Sequence, residues 1–214
     1  MSASDIRLLG VSGSPRLKAT HYAVEQALAY ARDRHGVETD SFSVHRKRIG
    51  FCLHCDYCVR TKQGCVTHDD MEELYPKLLA ADAWLLGTPV YQGQMSGQLK
   101  TTLDRCRALV ARDPLAFRDK VGAGLCVGGD RSGGQEPALQ GLIDFYIINQ
   151  MIPVGGGSFG ANLGAALWSQ DKGAEGVKAD EAGLAALRRV VDAVVRTARL
   201  LRGQTAGEAA EEEA

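Results

Sequence analysis

Two periodicities alternate along this chain. Short apolar runs read as buried strands, and apolar residues three and four apart read as helices packed on them. The first run, 6–11, ends in a Gly/Ser turn and leads into a helix over 20–35 with Ala23, Ala27, Leu28 and Ala31 on one stripe. A second strand over 38–44 is more polar, as suits a strand near a sheet edge. Asp69-Asp70 then offers an N-cap to a helix reaching residue 81, with Met71, Leu74, Leu78 and Leu79 at helical spacing. A third strand at 84–88 and a third helix at 97–112 follow. Residues 120–127 form a fourth strand that breaks at Gly128-Gly129, and 136–151 a fourth helix. The glycine-rich segment 153–160 is a fifth strand or a turn. Leu184, Leu187, Val191, Val194, Ala198 and Leu201 mark a strong amphipathic helix at the C-terminal end.

This alternation predicts an α/β domain whose parallel sheet is covered on both faces. Five such strands fit a flavodoxin-like doubly wound sheet of order 2-1-3-4-5, with a cysteine-rich loop after strand 2. One domain over 1–202 is expected, the cysteine loop being inserted at 50–68. A domain of this size buries roughly 70% of its unfolded surface. Residues 203–214, small and then acidic at Glu211, Glu212 and Glu213, bury too little to fold and are expected to form a disordered tail. The stretch 141–151 is apolar on nearly every side, which suits a core helix or, by preference, a subunit interface.

Composition narrows the partners. Among 214 residues, Lys plus Arg number 25 and Asp plus Glu 26, so no basic face is offered to nucleic acid. No apolar stretch reaches the ~18 residues of a membrane span. Residues 1–7 mix acidic and basic side chains where a secretory signal needs an apolar core. A cytoplasmic protein without membrane or nucleic-acid partners is expected.

Three loops fall at the carboxyl ends of strands, the edge where such sheets bind ligands. The first, 12–20, gathers Ser12, Ser14, Arg16 and Thr20 with backbone N–H groups at a helix N-terminus, a set suited to a phosphate. It lacks the G-x-G-x-x-G fingerprint, and its hydroxyls suit the doubly charged end of a mononucleotide. In the second, 88–97, Pro89 stiffens the strand exit, Tyr91 offers an aromatic plane and Gly93 admits close backbone approach, as a flat heteroaromatic ring requires. The third, 128–136, is rich in backbone N–H groups suited to the polar edge of the same ring. Each loop alone can also be a cap or a turn, the first least and the third most readily. Their coincidence on one edge argues for a ligand.

The densest chemistry is the run Cys52, Cys55, Cys58 and Cys65, spaced C-x2-C-x2-C-x6-C. Four thiolates so close together can wrap one iron–sulfur cluster. Zinc more often takes two C-x2-C pairs set farther apart, and bacterial ferredoxins close with C-x3-C-P, whereas Val66 follows Cys65 here. Disulfides need an oxidising compartment, to which nothing points. Zinc, and reduced thiols without metal, remain open. His54 and His68 read as ordinary loop histidines, and Cys106 and Cys126, inside apolar segments, as buried structural thiols.

Taken together, Ser12-Gly-Ser-Pro-Arg16, Thr88-Pro-Val-Tyr91, Ser96-Gly-Gln-Leu-Lys100 and Gly133-Gly-Gln-Glu136 resemble the flavodoxin-fold NAD(P)H-dependent FMN reductases. The cysteine run followed by Asp69-Asp70-Met71 is similar to the iron–sulfur flavoproteins within that family. Over about 6–160 the resemblance implies FMN, with its phosphate at Ser12, Ser14, Arg16, Thr20 and His21. It places the ring along Pro89, Val90, Tyr91 and Gly93, and the pyrimidine edge at Gly129, Asp130, Gly133 and Gly134. It further implies a [4Fe-4S] cluster on Cys52, Cys55, Cys58 and Cys65. Ala19 and His21 stand where many relatives carry Ser and Thr, leaving backbone donors to compensate.

The expected function is an oxidoreductase that takes electrons from NADH, NADPH or a ferredoxin and passes them to a small-molecule or protein acceptor. The cofactors carry that chemistry, so no side chain is assigned as a general acid or base. A homodimer or homotetramer is implied, bringing a cluster near a neighbouring subunit's flavin. A non-enzymatic redox carrier or sensor, and a cluster-free NAD(P)H:FMN or quinone reductase, are the alternatives.

Overall fold

The most apolar strands pair in parallel at the centre of the sheet, where Leu8, Leu9, Leu85, Leu86 and Leu125 are buried. In the computed structural model, which describes residues 6–212, β1 (Arg7–Ser12) lies between β2 (Glu38–Ser43) and β3 (Ala83–Tyr91). β3 pairs in turn with β5 (Val121–Gly128). The polar strand β2 is the edge strand, as its sequence predicts.

The fifth place in the sheet is shared. β6 (Ile152–Pro153) pairs with the start of β5, and β7 (Ala165–Trp168) with its end. The intervening chain folds back on itself at Gly155 and Gly156, where a Cβ would stand 2.0 Å from Asn162 O and 2.5 Å from Ala161 Cβ respectively. The order 2-1-3-4-5 therefore holds, with the last strand split and a short strand added. That addition, β4 (Gln94–Met95), turns back antiparallel on the end of β3. Of the segment 153–160 only Pro153 enters the sheet.

α1 (Ala19–His35), α7 (Ala174–Lys178) and α8 (Glu181–Glu212) cover one face, with Val24, Leu28, Val190, Val191 and Val194 in its core. Gly10 and Gly87 let α1 sit close, because a Cβ on either would stand 2.8 Å or 2.5 Å from Val24. α3 (Met71–Ala80), α4 (Gly97–Arg105) and α6 (Gln135–Ile148) cover the other face around Trp84, Phe117, Leu74 and Tyr146. Each such fully buried aliphatic or aromatic side chain contributes about 1.5–3 kcal/mol.

One expectation changes. The third helix breaks at Cys106, whose N–H bonds Leu103 O three residues back, and resumes as α5 (Arg107–Arg112). Of the stretch 141–151, residues 141–148 lie in α6, buried at Leu142 and Tyr146, while Ile147 and Ile148 are 59% and 81% exposed. The tail expected to be disordered spans residues 203–214, across the end of α8, which is bounded at Glu212. Glu213 and Ala214 lie outside the described residues. Among those described, no helix is long and apolar enough to cross a membrane.

Candidate functional site

Because β1, β3 and β5 run parallel, their carboxyl ends open on one rim. The loop after β1 is pinned there at Gly13. Its N–H donates to Gly87 O at 2.7 Å and its carbonyl accepts from Ser96 Oγ at 2.6 Å. A Cβ at Gly13 would stand 2.6 Å from Leu99 Cβ, so only glycine lets the loop cross α4. Ser96 is also the N-cap of α4, accepting from Leu99 N–H at 3.1 Å, and its own N–H donates to Thr88 Oγ1 at 2.9 Å. One buried serine thus fixes the first loop, the exit of β3 and a helix.

Ser14 is buried, and its Oγ accepts from Arg16 N–H at 3.2 Å, shaping the turn. Thr20 and His21 follow in the first turn of α1. Ser12 Oγ and His21 Nδ1 are buried with no hydrogen-bond partner, leaving two polar atoms that a bound group would satisfy.

Gln92 and Gly93, at φ 50° and 77°, close a two-residue turn between the paired Tyr91 and Gln94. Two positive φ values in such a turn match the twist of a hairpin. Gly134, at φ +101°, comes so close that a Cβ there would stand 2.8 Å from Gly93 Cα and 3.3 Å from Val90 Cγ1. Arg16 Nη2 reaches Tyr91 OH at 3.5 Å, bridging the first and second loops. The structure therefore brings Arg16 of the first loop beside Tyr91 of the second, and Gly134 of the third beside Val90 and Gly93. Gly129 and Asp130 anchor the third through their carbonyls, which accept from Trp168 Nε1 at 2.7 Å and Gln135 Nε2 at 2.5 Å.

A fourth rim loop, 169–173 after β7, escapes the sequence reading. With the first loop it encloses a cavity of about 440 Å³ lined by Arg16, Lys18, Ala19, Ser169, Asp171 and Lys172. Three cations against one carboxylate favour an anion. The available signal is the polar turn Gln170-Asp171-Lys172-Gly173, in which Gln170, Asp171 and Gly173 all have positive φ.

The cysteine loop leaves the same rim after β2. Its root lies against the first loop, with Val44 N–H on Ser12 O at 3.0 Å and His45 Nδ1 on Pro15 O at 2.7 Å. His54, Asp56, Lys62 and Gly64 all have φ between 51° and 98°, curling the chain around α2 (Tyr57–Thr61), which carries Cys58. Cys52, Cys55, Cys58 and Cys65 are free thiols, Cys55 exposed and the others half-buried. Thr67 N–H donates to Cys65 Sγ at 3.5 Å. Among the described residues, no three His, Cys, Asp or Glu side chains converge as ligands of a single ion.

The loop's mouth is shut by a buried ion pair of Arg105 and Asp69, 2.6 Å apart. Burial works to raise the Asp69 pKa, but the Arg105 guanidinium and the N–H groups of Gly50 and Met71 outweigh it and hold the carboxyl below its usual range. His54 and His68 are exposed. Cys106 and Cys126 are buried, and burial pushes both thiols up to about 12.

Residues 6–166 match the NADPH-dependent FMN reductase family. An iron–sulfur flavoprotein of Methanocaldococcus jannaschii is 55% identical over 198 residues, 92% of this chain and 100% of its own. The chain belongs to the iron–sulfur flavoproteins of the NADPH-dependent FMN reductase family. A second iron–sulfur flavoprotein, from Archaeoglobus fulgidus, is 53% identical over 86% of this chain and 93% of its own. The solved structure of a WrbA-like flavodoxin from Agrobacterium tumefaciens matches 92% of this chain and 99% of its own at a TM-score of 0.65. At 20% identity that likeness is one of fold. Membership makes this iron–sulfur flavoprotein an FMN-dependent oxidoreductase. Its rim fits FMN in its chemistry: it offers two orphaned buried polar atoms at Ser12 and His21, a cationic cavity beside Arg16, and bare glycine backbone at Gly93 and Gly134. Its cysteine loop fits a cluster in its donor set of four unpaired thiols, one already receiving a backbone N–H.

Proposed function

We propose that this iron–sulfur flavoprotein moves electrons between a reduced nicotinamide or a ferredoxin and an acceptor, using FMN on the rim and a [4Fe-4S] cluster on Cys52, Cys55, Cys58 and Cys65. The observation that carries the proposal is the shared footing of the two loops. α4 holds the first rim loop through Ser96 and the mouth of the cysteine loop through Arg105. The nine residues of α4, at about 1.5 Å each, put those anchors about 13 Å apart.

In this reading Arg16, Lys18 and Lys172 hold the phosphate charge, with Ser12, Ser14, Thr20 and His21 around it. Pro89, Val90, Tyr91 and Gly93 flank the ring, and Gly129, Asp130, Gly133 and Gly134 meet its pyrimidine edge. Bound FMN exchanges electrons in pairs or singly and a cluster singly, so the two together link pair transfer to single transfer. The protein's own work is to orient the ring on the hairpin, exclude water from one side and set local charge. Phe51 and Leu53, 77% and 76% exposed on either side of Cys52, give a second copy of the chain an apolar surface to cover.

The test is anaerobic purification followed by flavin, iron and acid-labile sulfide measured on one sample. Stopped-flow mixing with NADH and with NADPH follows. Flavin with about four iron per chain and reduction by a nicotinamide is the expected result. Flavin without iron after reconstitution leaves the reductase and removes the cluster. Material that binds no flavin refutes the proposal.

A further inference from the structure

The cysteine loop begins and ends on one buried guanidinium. Arg105, the last residue of α4, is 1% exposed. Its Nη1 donates to Gly50 O at 2.8 Å and to Asp69 Oδ2 at 2.6 Å. Its Nη2 donates to Thr67 O at 3.1 Å and to Asp69 Oδ1 at 3.1 Å. Asp69 returns the grip, accepting from Gly50 N–H at 2.8 Å and from Met71 N–H at 3.1 Å. Gly50 stands two residues before Cys52 and Thr67 two after Cys65. Both ends of the run therefore close on a single planar fork. Thr67 also links that fork to the sulfur, its carbonyl accepting from Arg105 while its N–H donates to Cys65 Sγ at 3.5 Å.

Packing does not account for this arrangement. Burying two charges costs desolvation that an apolar pair of similar volume avoids, so a buried ion pair is weak support for stability. What the pair supplies is geometry. Four donor directions fixed in one plane hold three residues on two chain segments at once, and lysine, a point charge on a flexible stem, cannot reproduce that.

We infer that Arg105 is a positioning residue for the cluster: with Asp69 it closes the mouth of the cysteine loop, setting Cys52 and Cys65 for metal uptake. The inference rests on the reading of these cysteines as cluster ligands. One effect follows. A cage whose ends are already joined loses less freedom when it takes up metal. Arg60, Lys62 and Arg107 also serve the loop, at Cys55 O, Ala111 O and Asp56, but from its exposed side, where solvent and salt screen them.

The test uses the full chain, anaerobically reconstituted, as wild type, as Arg105→Lys and as the apolar double variant Arg105→Met with Asp69→Leu. Iron and sulfide per flavin, the chelator concentration that strips half the iron, and the cluster's midpoint potential are read for each. Melting of the flavin-loaded, iron-free form serves as the folding control. The double variant is expected to melt near wild type and keep its flavin, while its iron is stripped at roughly tenfold lower chelator, as second-shell losses typically cost. Its remaining cluster is expected to keep a potential near wild type, because removing the pair takes away one charge of each sign. Arg105→Lys is expected to keep the potential near wild type and lose iron more readily. If the double variant does not fold, the iron retention of Arg105→Lys decides alone. Variants that load and retain iron as wild type does would overturn the inference while leaving the cluster reading intact. Wild type that takes up no iron would overturn both.

Discussion

Replacing Ser96 by alanine tests how the rim is assembled. Ser96 is fully buried, and its Oγ donates to Gly13 O at 2.6 Å while accepting from Leu99 N–H at 3.1 Å. Loss of the helix cap costs about 0.5–2 kcal/mol. The buried Gly13 carbonyl is left without that donor, which costs about 1–3 kcal/mol more. The two share one hydroxyl, so about 2–4 kcal/mol in all is the expected loss. For a chain of this length that lowers the melting temperature by roughly 5–15 °C. If about half of it falls on ordering the first rim loop, FMN affinity drops roughly 5–30-fold. Melting followed by circular dichroism and an FMN fluorescence titration read the two effects. Ser96→Gly separates them, because glycine at an N-cap costs only a few tenths of a kcal/mol. A glycine variant as weak as alanine assigns the loss to the Gly13 bond; one close to wild type assigns it to the cap. An alanine variant with unchanged melting and unchanged FMN affinity refutes the linkage.

Four further outcomes are expected. Gly134→Ala forces a side chain to φ +101° with its Cβ 2.8 Å from Gly93 Cα, and should weaken FMN by about tenfold in a quenching titration. Arg16→Ala and Lys172→Ala should each weaken FMN while leaving riboflavin, which has no phosphate, unaffected; loss of a charged hydrogen bond of about 1.5–3 kcal/mol at Arg16 means about 10–100-fold by calorimetry. In folded, metal-free protein at pH 8, an alkylating agent counted by mass spectrometry should modify Cys52, Cys55, Cys58 and Cys65 but not the buried Cys106 and Cys126, whose thiols burial pushes up to about 12. Asp69 is held below its ordinary range, so its contribution to stability is present above the unfolded value of about 3.9 and is lost as pH falls through the folded one. The denaturant midpoint of wild type should therefore exceed that of Asp69→Asn at pH 7, and the gap should narrow below pH 4.

The sheet was legible because its signals are local. Each long strand carries its own apolar run, and the cysteine spacing sits within fourteen residues of chain. What escaped is short or made by tertiary contact. Ala165–Trp168 offers four residues to a pattern that needs more, and Cys106 breaks its helix by tightening one turn. The cavity beside Arg16 exists only because Lys172 folds back from the far end of the chain. Ser96 reads as an ordinary helix cap, and its bond to Gly13 spans 83 residues. Arg105 looks like a solvent-facing charge until the loop between Gly50 and Asp69 closes over it.

α4 acts as a spacer bar between the two ends of the proposed electron path. The interval between them is written into the backbone of one helix and does not depend on how side chains happen to settle. One residue inserted into α4 would swing Arg105 by about 100° and advance it about 1.5 Å, out of register with Asp69, while leaving Ser96 in place. A lineage could in that way abandon the metal in a single step and keep its flavin undisturbed.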